Sequence, residues 1–289
     1  MEKIWFITGA GRGLGLAIAK AALEAGNCIV ATARNKEKLE KVFGTNPDVL
    51  SLSLNVTDKV SIAEAVKAAI ERFGRIDVLV NNAGYGQLGW FEDTTDEQIR
   101  NQFETNVFGV MNVTRTVLPV MRAKRSGRIF TITSVSGVFS VAGGTIYASS
   151  KFAVEGLMEG LAQEVKPLGI HTTIIEPGFF KTDFLDGSSV KFSENSILDY
   201  APQFNAFRKW HENMNHKQTG DPQKLGALLV KLSDMPEPPV RLAAGTDGYN
   251  CVIEKADNLR TEAERNKEMS FSTDGETEIK VGSLNEIGK

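Results

Sequence analysis

Short apolar runs rich in β-branched residues alternate along this chain with longer stretches of helical period, and this alternation restricts the folds open to it. The predicted strands are residues 4–7, 28–32, 49–54, 76–80, 128–133, 171–175 and 240–243, and the predicted helices are residues 13–25, 36–43, 60–73, 96–107, 110–124, 147–168 and 246–269. Connections of this length join parallel strands and place helices on both faces of the sheet. We therefore predict an α/β fold, a Rossmann-type doubly wound parallel sheet of about seven strands with its ligand crevice at their carboxyl ends.

The domain organisation follows from length and from one break in the alternation. The chain has 289 residues, of which 42% are hydrophobic, so it can bury the core of one large domain, which we predict over residues 1–270. Between residues 182 and 220, aromatic side chains are scattered among polar ones. An insertion at this place typically covers the ligand crevice, so we predict a lid at 182–220. Residues 271–289, rich in Ser, Thr, Glu and Gly, are predicted to form a flexible tail.

Composition argues against several kinds of partner. Lys and Arg number 33 against 36 Asp and Glu, a net charge of −3 with no long basic block, so we do not expect nucleic acid binding. Cys28 and Cys251 lie far apart and only three histidines accompany them, so neither a disulfide framework nor a metal site is expected. Because no stretch approaches about 18 consecutive apolar residues, we expect no signal peptide or membrane span and predict a cytoplasmic protein.

A glycine-rich turn follows the first predicted strand. Residues 8–15 read T-G-A-G-R-G-L-G and lead into a predicted helix, a pattern T-G-x-x-x-G-x-G that differs from the strict G-x-G-x-x-G spacing. Such a turn places backbone N–H groups and the positive end of a helix where a phosphate can bind. The candidate cofactor-binding residues here are Thr8, Gly9, Gly11, Arg12, Gly13, Leu14 and Gly15. The alternative is a tight strand-to-helix turn without a ligand.

The end of the second strand bears on the choice of dinucleotide. An acid about 20 residues beyond the glycine turn typically binds the adenosine ribose hydroxyls of NAD. This chain has Ala33 and Arg34 at that point, so the acid is missing. Arg34 and Arg12 could hold a 2′-phosphate through charge-assisted hydrogen bonds, which favours NADP(H) over NAD(H). The alternative for Arg34 is a solvated residue at a helix entry.

The segment Y-A-S-S-K at residues 147–151 places a phenol and an ammonium on one helix face. Tyr147 and Lys151 stand at i and i+4, so their side chains are neighbours in a helix. An adjacent ammonium favours the phenolate, and lowering a tyrosine pKa from about 10 to about 7 takes roughly 4 kcal/mol. Such a tyrosine can exchange a proton with a substrate oxygen. The alternative is ordinary packing at a helix start, but Ser134 ends a strand at the same predicted edge.

These features occur together with others in one order. The motifs are T-G-x-x-x-G-x-G at 8–15, N-N-A-G at 81–84, N-x-x-G at 106–109, Ser134, Y-x-x-x-K at 147–151 and P-G at 177–178. On these motifs the chain resembles the short-chain dehydrogenase/reductase family over residues 3–248. The resemblance implies that Tyr147 is the general acid and base and that Ser134 polarises the carbonyl group. It also implies that Lys151 binds the nicotinamide ribose and that Asn106 holds a proton-relay water.

The resemblance implies further contacts with NADP(H). The additional residues are Asn55, Val56, Asn82, Ala83, Gly84, Tyr147, Lys151, Pro177, Gly178 and Thr182. Asn55-Val56 replaces the acid-hydrophobe pair of many members, and Asn55 could still accept a hydrogen bond from the adenine amine. Family members commonly pair through helices corresponding to residues 96–124 and 147–168, so a homodimer or homotetramer is expected.

The substrate is expected to be apolar. Aromatic residues between positions 179 and 210, together with Tyr85, Trp90 and Phe139, are predicted to form an apolar wall, although lid or subunit packing would explain them equally well. The small residues 142–144 are predicted to leave the face of Tyr147 open. We therefore predict an NADPH-dependent reductase of hydrophobic ketones or aldehydes, similar to hydroxysteroid and retinol dehydrogenases and to carbonyl reductases. A dinucleotide-binding regulator without turnover and an epimerase or dehydratase of the same family are the alternatives.

Overall fold

Seven parallel strands form the central sheet. In this computed structural model, which describes residues 2–187, 189–194 and 196–275, the strands are β1 (Ile4–Thr8), β2 (Cys28–Ala33), β3 (Val49–Ser53), β4 (Val78–Asn81), β5 (Gly86–Leu88), β6 (Gly127–Ile132), β7 (Ile170–Pro177), β8 (Val190–Phe192) and β9 (Arg241–Ala244). The order in the main sheet is β3-β2-β1-β4-β6-β7-β9, and β5 pairs with β8 in a separate two-stranded parallel sheet. The predicted doubly wound α/β fold is confirmed, as are all seven predicted strands.

Helices cover both faces of this sheet. They are α1 (Gly13–Glu24), α2 (Lys36–Phe43), α3 (Lys59–Phe73), α4 (Asp96–Phe103), α5 (Gly109–Lys124), α6 (Thr145–Val165), α7 (Ala201–Met214), α8 (Pro222–Asp234), α9 (Thr246–Arg265) and α10 (Lys267–Phe271). One apolar cluster joins α3, α5 and α6 to the sheet, and a second joins α1, α2 and α8 to the other face. None of the described helices is long and apolar enough to cross a membrane.

The chain forms two units by its internal contacts. The first spans Met1–Val252 and holds the whole sheet, and the second begins at Ile253. The flexible tail was predicted for residues 271–289, of which residues 276–289 lie outside the described part of the chain.

The structure differs from the predicted elements at three places. The predicted helix 96–107 is α-helical only to Phe103 and continues as a π-helical turn, Glu104–Phe108, before α5 begins. The lid holds a helix, α7, that was not predicted although Phe204, Phe207 and His211 have helical spacing. Helix α8 was also missed, and its start is signalled by the cap Asp221 followed by a proline at the first helical position.

Candidate active site

The glycine turn between β1 and α1 depends on the absence of side chains. Gly9 and Gly13 have φ of 68° and 56°, in the left-handed region that favours glycine. A Cβ at Gly15 would lie 2.4 Å from the Gly9 carbonyl oxygen and 2.4 Å from Asn82 Nδ2. The turn therefore brings backbone N–H groups to the start of α1 at the carboxyl edge of the sheet, where a phosphate can approach them closely.

The segment after β4 is tied to this turn. Thr8 Oγ1 accepts hydrogen bonds from the backbone N–H groups of Asn82 and Ala83 at 2.9 and 3.0 Å. Asn82 Nδ2 donates to the carbonyl oxygens of Thr8 and Gly9 at 2.9 and 3.1 Å. Each of these side chains holds two backbone segments together, so Thr8 and Asn82 fix the shape of the edge.

Three of the predicted catalytic side chains converge beside this edge. Ser134 follows β6, and its Oγ accepts a hydrogen bond from the Ser136 N–H at 3.0 Å. The hydroxyl of Tyr147, on the first turn of α6, is hydrogen-bonded to Ser134. Lys151 Nζ donates to the carbonyl oxygen of Ile132 at 3.0 Å and lies 5.7 Å from the centre of the Tyr147 ring. The pairing of Tyr147 with Lys151 on one helix face is therefore as predicted.

Burial dominates the ionisation of this group. It raises the pKa of Tyr147 to about 12, more than the hydrogen bond from Ser134 offsets. It lowers the pKa of Lys151 to about 8, with the carboxylate of Glu155 acting in the opposite direction. Without a cofactor, desolvation of the phenolate thus outweighs its partners. The prediction that Lys151, with a cationic nicotinamide nearby, lowers the pKa of Tyr147 toward neutrality concerns the cofactor-bound protein and stays a prediction. Tyr147 is protonated at neutral pH and can act as a proton donor.

Asn106 lies in the π-helical turn and is buried. Its Oδ1 accepts from the Tyr85 N–H at 3.1 Å, and its Nδ2 donates to the Tyr85 carbonyl at 2.9 Å and to Ser150 Oγ at 3.3 Å. The side chain thus anchors the loop between β4 and β5 to α6. Its predicted role in holding a relay water stays a prediction.

A cavity of about 1400 Å³ runs from the glycine turn to Tyr147 and the lid. Most of the predicted cofactor residues line it: Gly9, Gly11, Arg12, Gly13, Leu14, Arg34, Asn55, Val56, Asn82, Ala83, Gly84, Tyr147, Lys151, Pro177, Gly178 and Thr182. The other two predicted cofactor residues, Thr8 and Gly15, and the predicted catalytic residue Asn106 are not part of the cavity lining. The close backbone approach at the glycine turn and the continuity of this cavity fit a dinucleotide extending from α1 to Tyr147.

At the end of the cavity near Arg34, the structure shows one positively charged residue more than we predicted from the sequence. Arg34 is exposed where β2 ends, and Lys38, in the first turn of α2, also lines the cavity. Lys38 was not among the predicted residues, although it stands four positions after Arg34. Asn55 Oδ1 accepts hydrogen bonds from Thr57 N and Oγ1 at 3.2 and 3.0 Å, so its carbonyl already has two local donors.

The lid only partly matches its predicted role as an apolar wall. Besides Tyr147 and His211, the aromatic side chains that line the cavity are Tyr85, Phe139, Phe179, Phe180, Phe184, Phe207 and Trp210. Trp90 instead packs beneath the lid, with ring centres 5.7 Å from Phe204 and 5.8 Å from Phe207. The prediction that Trp90 lines the wall is wrong, because Trp90 follows β5 and faces α7.

The face of Tyr147 is also less open than predicted. Gly143 has a φ of 81°, and a Cβ there would lie 2.9 Å from the Phe207 ring. The room left by this glycine is therefore taken by the lid. The Phe184 ring centre lies 5.9 Å from that of Tyr147, so an aromatic side chain already packs near the phenol.

The sequence interpretation also missed a carboxylate behind the P-G turn. Asp247, at the start of α9, accepts a hydrogen bond from the Phe179 N–H at 2.6 Å. A Cβ at Gly178 would lie 2.4 Å from this carboxylate, so the glycine is required for the contact. The only sequence signal for Asp247 is an acid in the first turn of a predicted helix, which is common at surfaces.

A parallel sheet whose carboxyl edge joins a glycine turn to a Ser, Tyr and Lys group defines a dinucleotide-binding oxidoreductase. The profile described as short chain dehydrogenase matches residues 3–191, and the chain belongs to this family of nicotinamide-dependent oxidoreductases.

Individual relatives are similar in sequence to this protein over most of its length. It is 39% identical over 276 residues to oxidoreductase BOA17 of Botryotinia fuckeliana, covering 94% of this chain and 100% of that protein. It is 38% identical over 244 residues to 3-ketodihydrosphingosine reductase of Bacteroides thetaiotaomicron, covering 84% and 88%. The crystal structure of a short-chain dehydrogenase from Streptomyces avermitilis is similar with a TM-score of 0.88 at 39% identity, covering 95% of this chain and all of that one.

Proposed function

We propose that this protein is an NADPH-dependent reductase that converts a hydrophobic ketone or aldehyde into the alcohol, in a reversible reaction with Tyr147 as general acid and base. The observation that carries the proposal is the meeting of the half-buried side chains of Ser134, Tyr147 and Lys151 inside the cavity that begins at the glycine turn. Along this cavity the glycine turn suits a phosphate, Lys151 suits a ribose, and Ser134 and Tyr147 suit a reacting carbonyl group.

The cofactor would be held by residues of three segments. The backbone N–H groups of the glycine turn suit the pyrophosphate, and Arg12, Arg34 and Lys38 supply the positive charge that a 2′-phosphate requires. Lys151 would hydrogen-bond the nicotinamide ribose, and Thr182 would contact the nicotinamide end. When bound, the reduced nicotinamide supplies a hydride to the carbonyl carbon.

The protein's own groups act on the carbonyl oxygen. Ser134 Oγ, held by the Ser136 N–H, hydrogen-bonds this oxygen as negative charge develops on it. Tyr147 then donates its proton to the oxygen, and its raised pKa ensures that the proton is present at neutral pH. The phenolate that remains is stabilised by the Lys151 ammonium until Tyr147 is protonated again.

The lining of the lid supports an apolar substrate. Phe179, Phe184, Phe207 and Trp210 line the cavity on the side of Tyr147, and such walls bind apolar groups through the area that they remove from water. The relative from Bacteroides thetaiotaomicron is by its name a reductase of a keto compound, which agrees with this class.

The test is a panel of apolar ketones and aldehydes, with sugars of similar size as controls. Turnover of each compound is measured as the loss of NADPH absorbance. We expect turnover of apolar carbonyl compounds, little with the sugars, and higher catalytic efficiency with NADPH than with NADH. Product formation without net loss of NADPH would indicate an epimerase or dehydratase instead. Cofactor binding without turnover of any compound would favour a regulator.

We also propose that the chain forms a homodimer or homotetramer, as is common in this family. Light scattering on the purified protein measures its mass in solution, and a monomer at micromolar concentration would contradict this proposal.

A further inference from the structure

Gln218, in the lid segment between α7 and α8, lines the cavity and is only 6% exposed. Its Oε1 is a buried oxygen that has no hydrogen-bond donor among the described residues. Buried amide oxygens without a donor are rare in folded proteins, because each has lost its hydrogen bonds to water without replacing them. The reaction scheme above gives this side chain no role. The oxygen is therefore suited to a donor that enters the cavity with a ligand.

The backbone that runs beside Gln218 has already used its donors. Two residues further on, Gly220 forms a parallel bridge with Phe180, which fixes this segment against the one that follows β7. The Gly220 N–H donates to the Phe179 carbonyl at 2.9 Å, and the Phe179 N–H donates to the Asp247 carboxylate at 2.6 Å. Because both N–H groups are taken, a small shift of this backbone does not supply the donor that Gln218 Oε1 lacks.

Aromatic rings lie next to the same segment. Phe179, whose carbonyl accepts the Gly220 N–H, packs against Trp210 of α7 with ring centres 5.5 Å apart, and both side chains line the cavity. In such apolar surroundings a hydrogen bond is stronger than in water, and an unpaired acceptor is more unfavourable. A ligand that combines an apolar body with one hydrogen-bond donor is complementary to this part of the lid.

Two molecules in the cavity could bring that donor. The carboxamide of a bound nicotinamide has an N–H group, and a substrate can carry a hydroxyl group. The position of Gln218 favours the substrate, because Gln218 follows α7, the helix that carries the cavity-lining rings of Phe207 and Trp210. The proposed cofactor contacts come instead from the glycine turn, the ends of the strands and α6.

We propose that Gln218 is a specificity-determining residue and that the substrate is an apolar ketone or aldehyde with a hydroxyl group besides the reacting carbonyl. The hydroxyl group donates its hydrogen to Gln218 Oε1, and the apolar body packs against the rings of Phe179 and Trp210. A compound without the hydroxyl group leaves Oε1 unpaired, so the site selects against it. The inference deepens the proposed function and rests on it, because the hydroxyl is recognised in the cavity where the carbonyl is reduced.

The test compares sets of three apolar ketones with the full-length protein and saturating NADPH. Within a set, one ketone carries a hydroxyl group, the second a methyl ether and the third only hydrogen at the same position, and that position differs from set to set. For the best hydroxyketone, we expect kcat/KM to exceed the values of its two counterparts by about 3- to 10-fold, since only the hydroxyl group donates to Oε1. Equal values within every set overturn the proposal.

Gln218→Met tests the residue itself, because methionine has a similar length but only a weak acceptor. The KM for the hydroxyketone should rise by about 3- to 10-fold, so that the preference over the unsubstituted ketone falls to near one. Gln203→Met, at an exposed position on α7, is the matched control and should keep the preference. A preference that survives in Gln218→Met, or that both variants lose equally, overturns the proposal.

Two binding measurements separate the possible partners of Gln218. Nicotinamide fluorescence gives the Kd of NADPH, and a rise of this Kd in Gln218→Met with an unchanged substrate preference would assign the amide to the cofactor and overturn the proposal. Calorimetry on the protein loaded with NADP⁺, which cannot reduce a ketone, measures binding of the same ketones. Tighter binding of the hydroxyketone by a protein that reduces none of them would keep the subsite and refute the proposed function. Equal binding, with all three ketones reduced, would keep the proposed function and overturn the subsite.

Discussion

The carboxyl edge of the sheet and the lid are stabilised in different ways. At the edge, side chains of fixed type bind backbone atoms: Thr8 and Asn82 hold the glycine turn, and Lys151 binds the Ile132 carbonyl. In the lid, aromatic rings pack on one another, as Trp90 does on Phe204 and Phe207. Few other residue types can replace the side chains that make hydrogen bonds at the edge, whereas many apolar side chains can fill the space beneath a lid.

This difference separates chemistry from substrate choice. The groups that we propose to transfer protons lie at the edge, where their geometry is set by strand ends and by the first turn of α6. The groups that would contact the body of a substrate lie on α7 and on the segment after β7. Changes at the edge should therefore act on kcat or on the cofactor, and changes in the lid should act on the KM of the carbonyl compound.

The largest expected effect is that of Tyr147→Phe at the edge. The variant lacks the hydroxyl that we propose as the proton donor, so kcat should fall by about 10²- to 10⁴-fold. NADPH binding, measured by the fluorescence of the bound nicotinamide, should change little because the cavity keeps its shape. Tyr249→Phe, at an exposed tyrosine, is the matched control. Retention of more than about a tenth of the activity would rule out Tyr147 as the general acid.

Arg34→Ala should have the next largest effect, and on the cofactor alone. Loss of a charge-assisted contact to a 2′-phosphate costs about 1.5–3 kcal/mol, so the KM for NADPH should rise by roughly 10- to 100-fold. The KM for NADH, which has no such phosphate, should change little. Arg260→Ala, at an arginine whose side chain is 77% exposed, serves as the control. Equal catalytic efficiency of the unmodified enzyme with NADH and NADPH would contradict the preference itself.

The same contrast explains how much could be predicted from the sequence. The edge consists of short motifs in which each residue type is required by a backbone position, as Gly15 is by its approach to Gly9 and Asn82. Such motifs can be identified from their spacing, and they predicted the Ser134, Tyr147 and Lys151 group, whereas the alternation of strand and helix patterns predicted the sheet. The pKa of Tyr147 could not be predicted in this way, because it depends on how much of the phenol is buried.

Contacts between distant parts of the chain were also beyond the sequence. Arg241 meets Glu155 and Glu176 only because β9 pairs with β7 and α6 packs against β7. Asp247 reaches the Phe179 N–H for the same reason. Trp90 and Phe207 contact each other because of the way in which α7 packs. Their apolar character alone does not specify this contact.

The smallest effect tests the lid through Phe207→Ala. Phe207 lines the cavity and packs on Gly143, so its loss removes apolar area from the substrate side while leaving Ser134 and Tyr147 in place. The KM for a bulky apolar ketone should rise by about 3- to 10-fold, with the KM for NADPH and the kcat for a small aldehyde unchanged. Phe91→Ala removes a phenylalanine that is 63% exposed and should change none of these values. If Phe207→Ala instead lowered kcat for every substrate as much as Tyr147→Phe does, the lid would take part in the chemistry, and the division between the two regions would not hold.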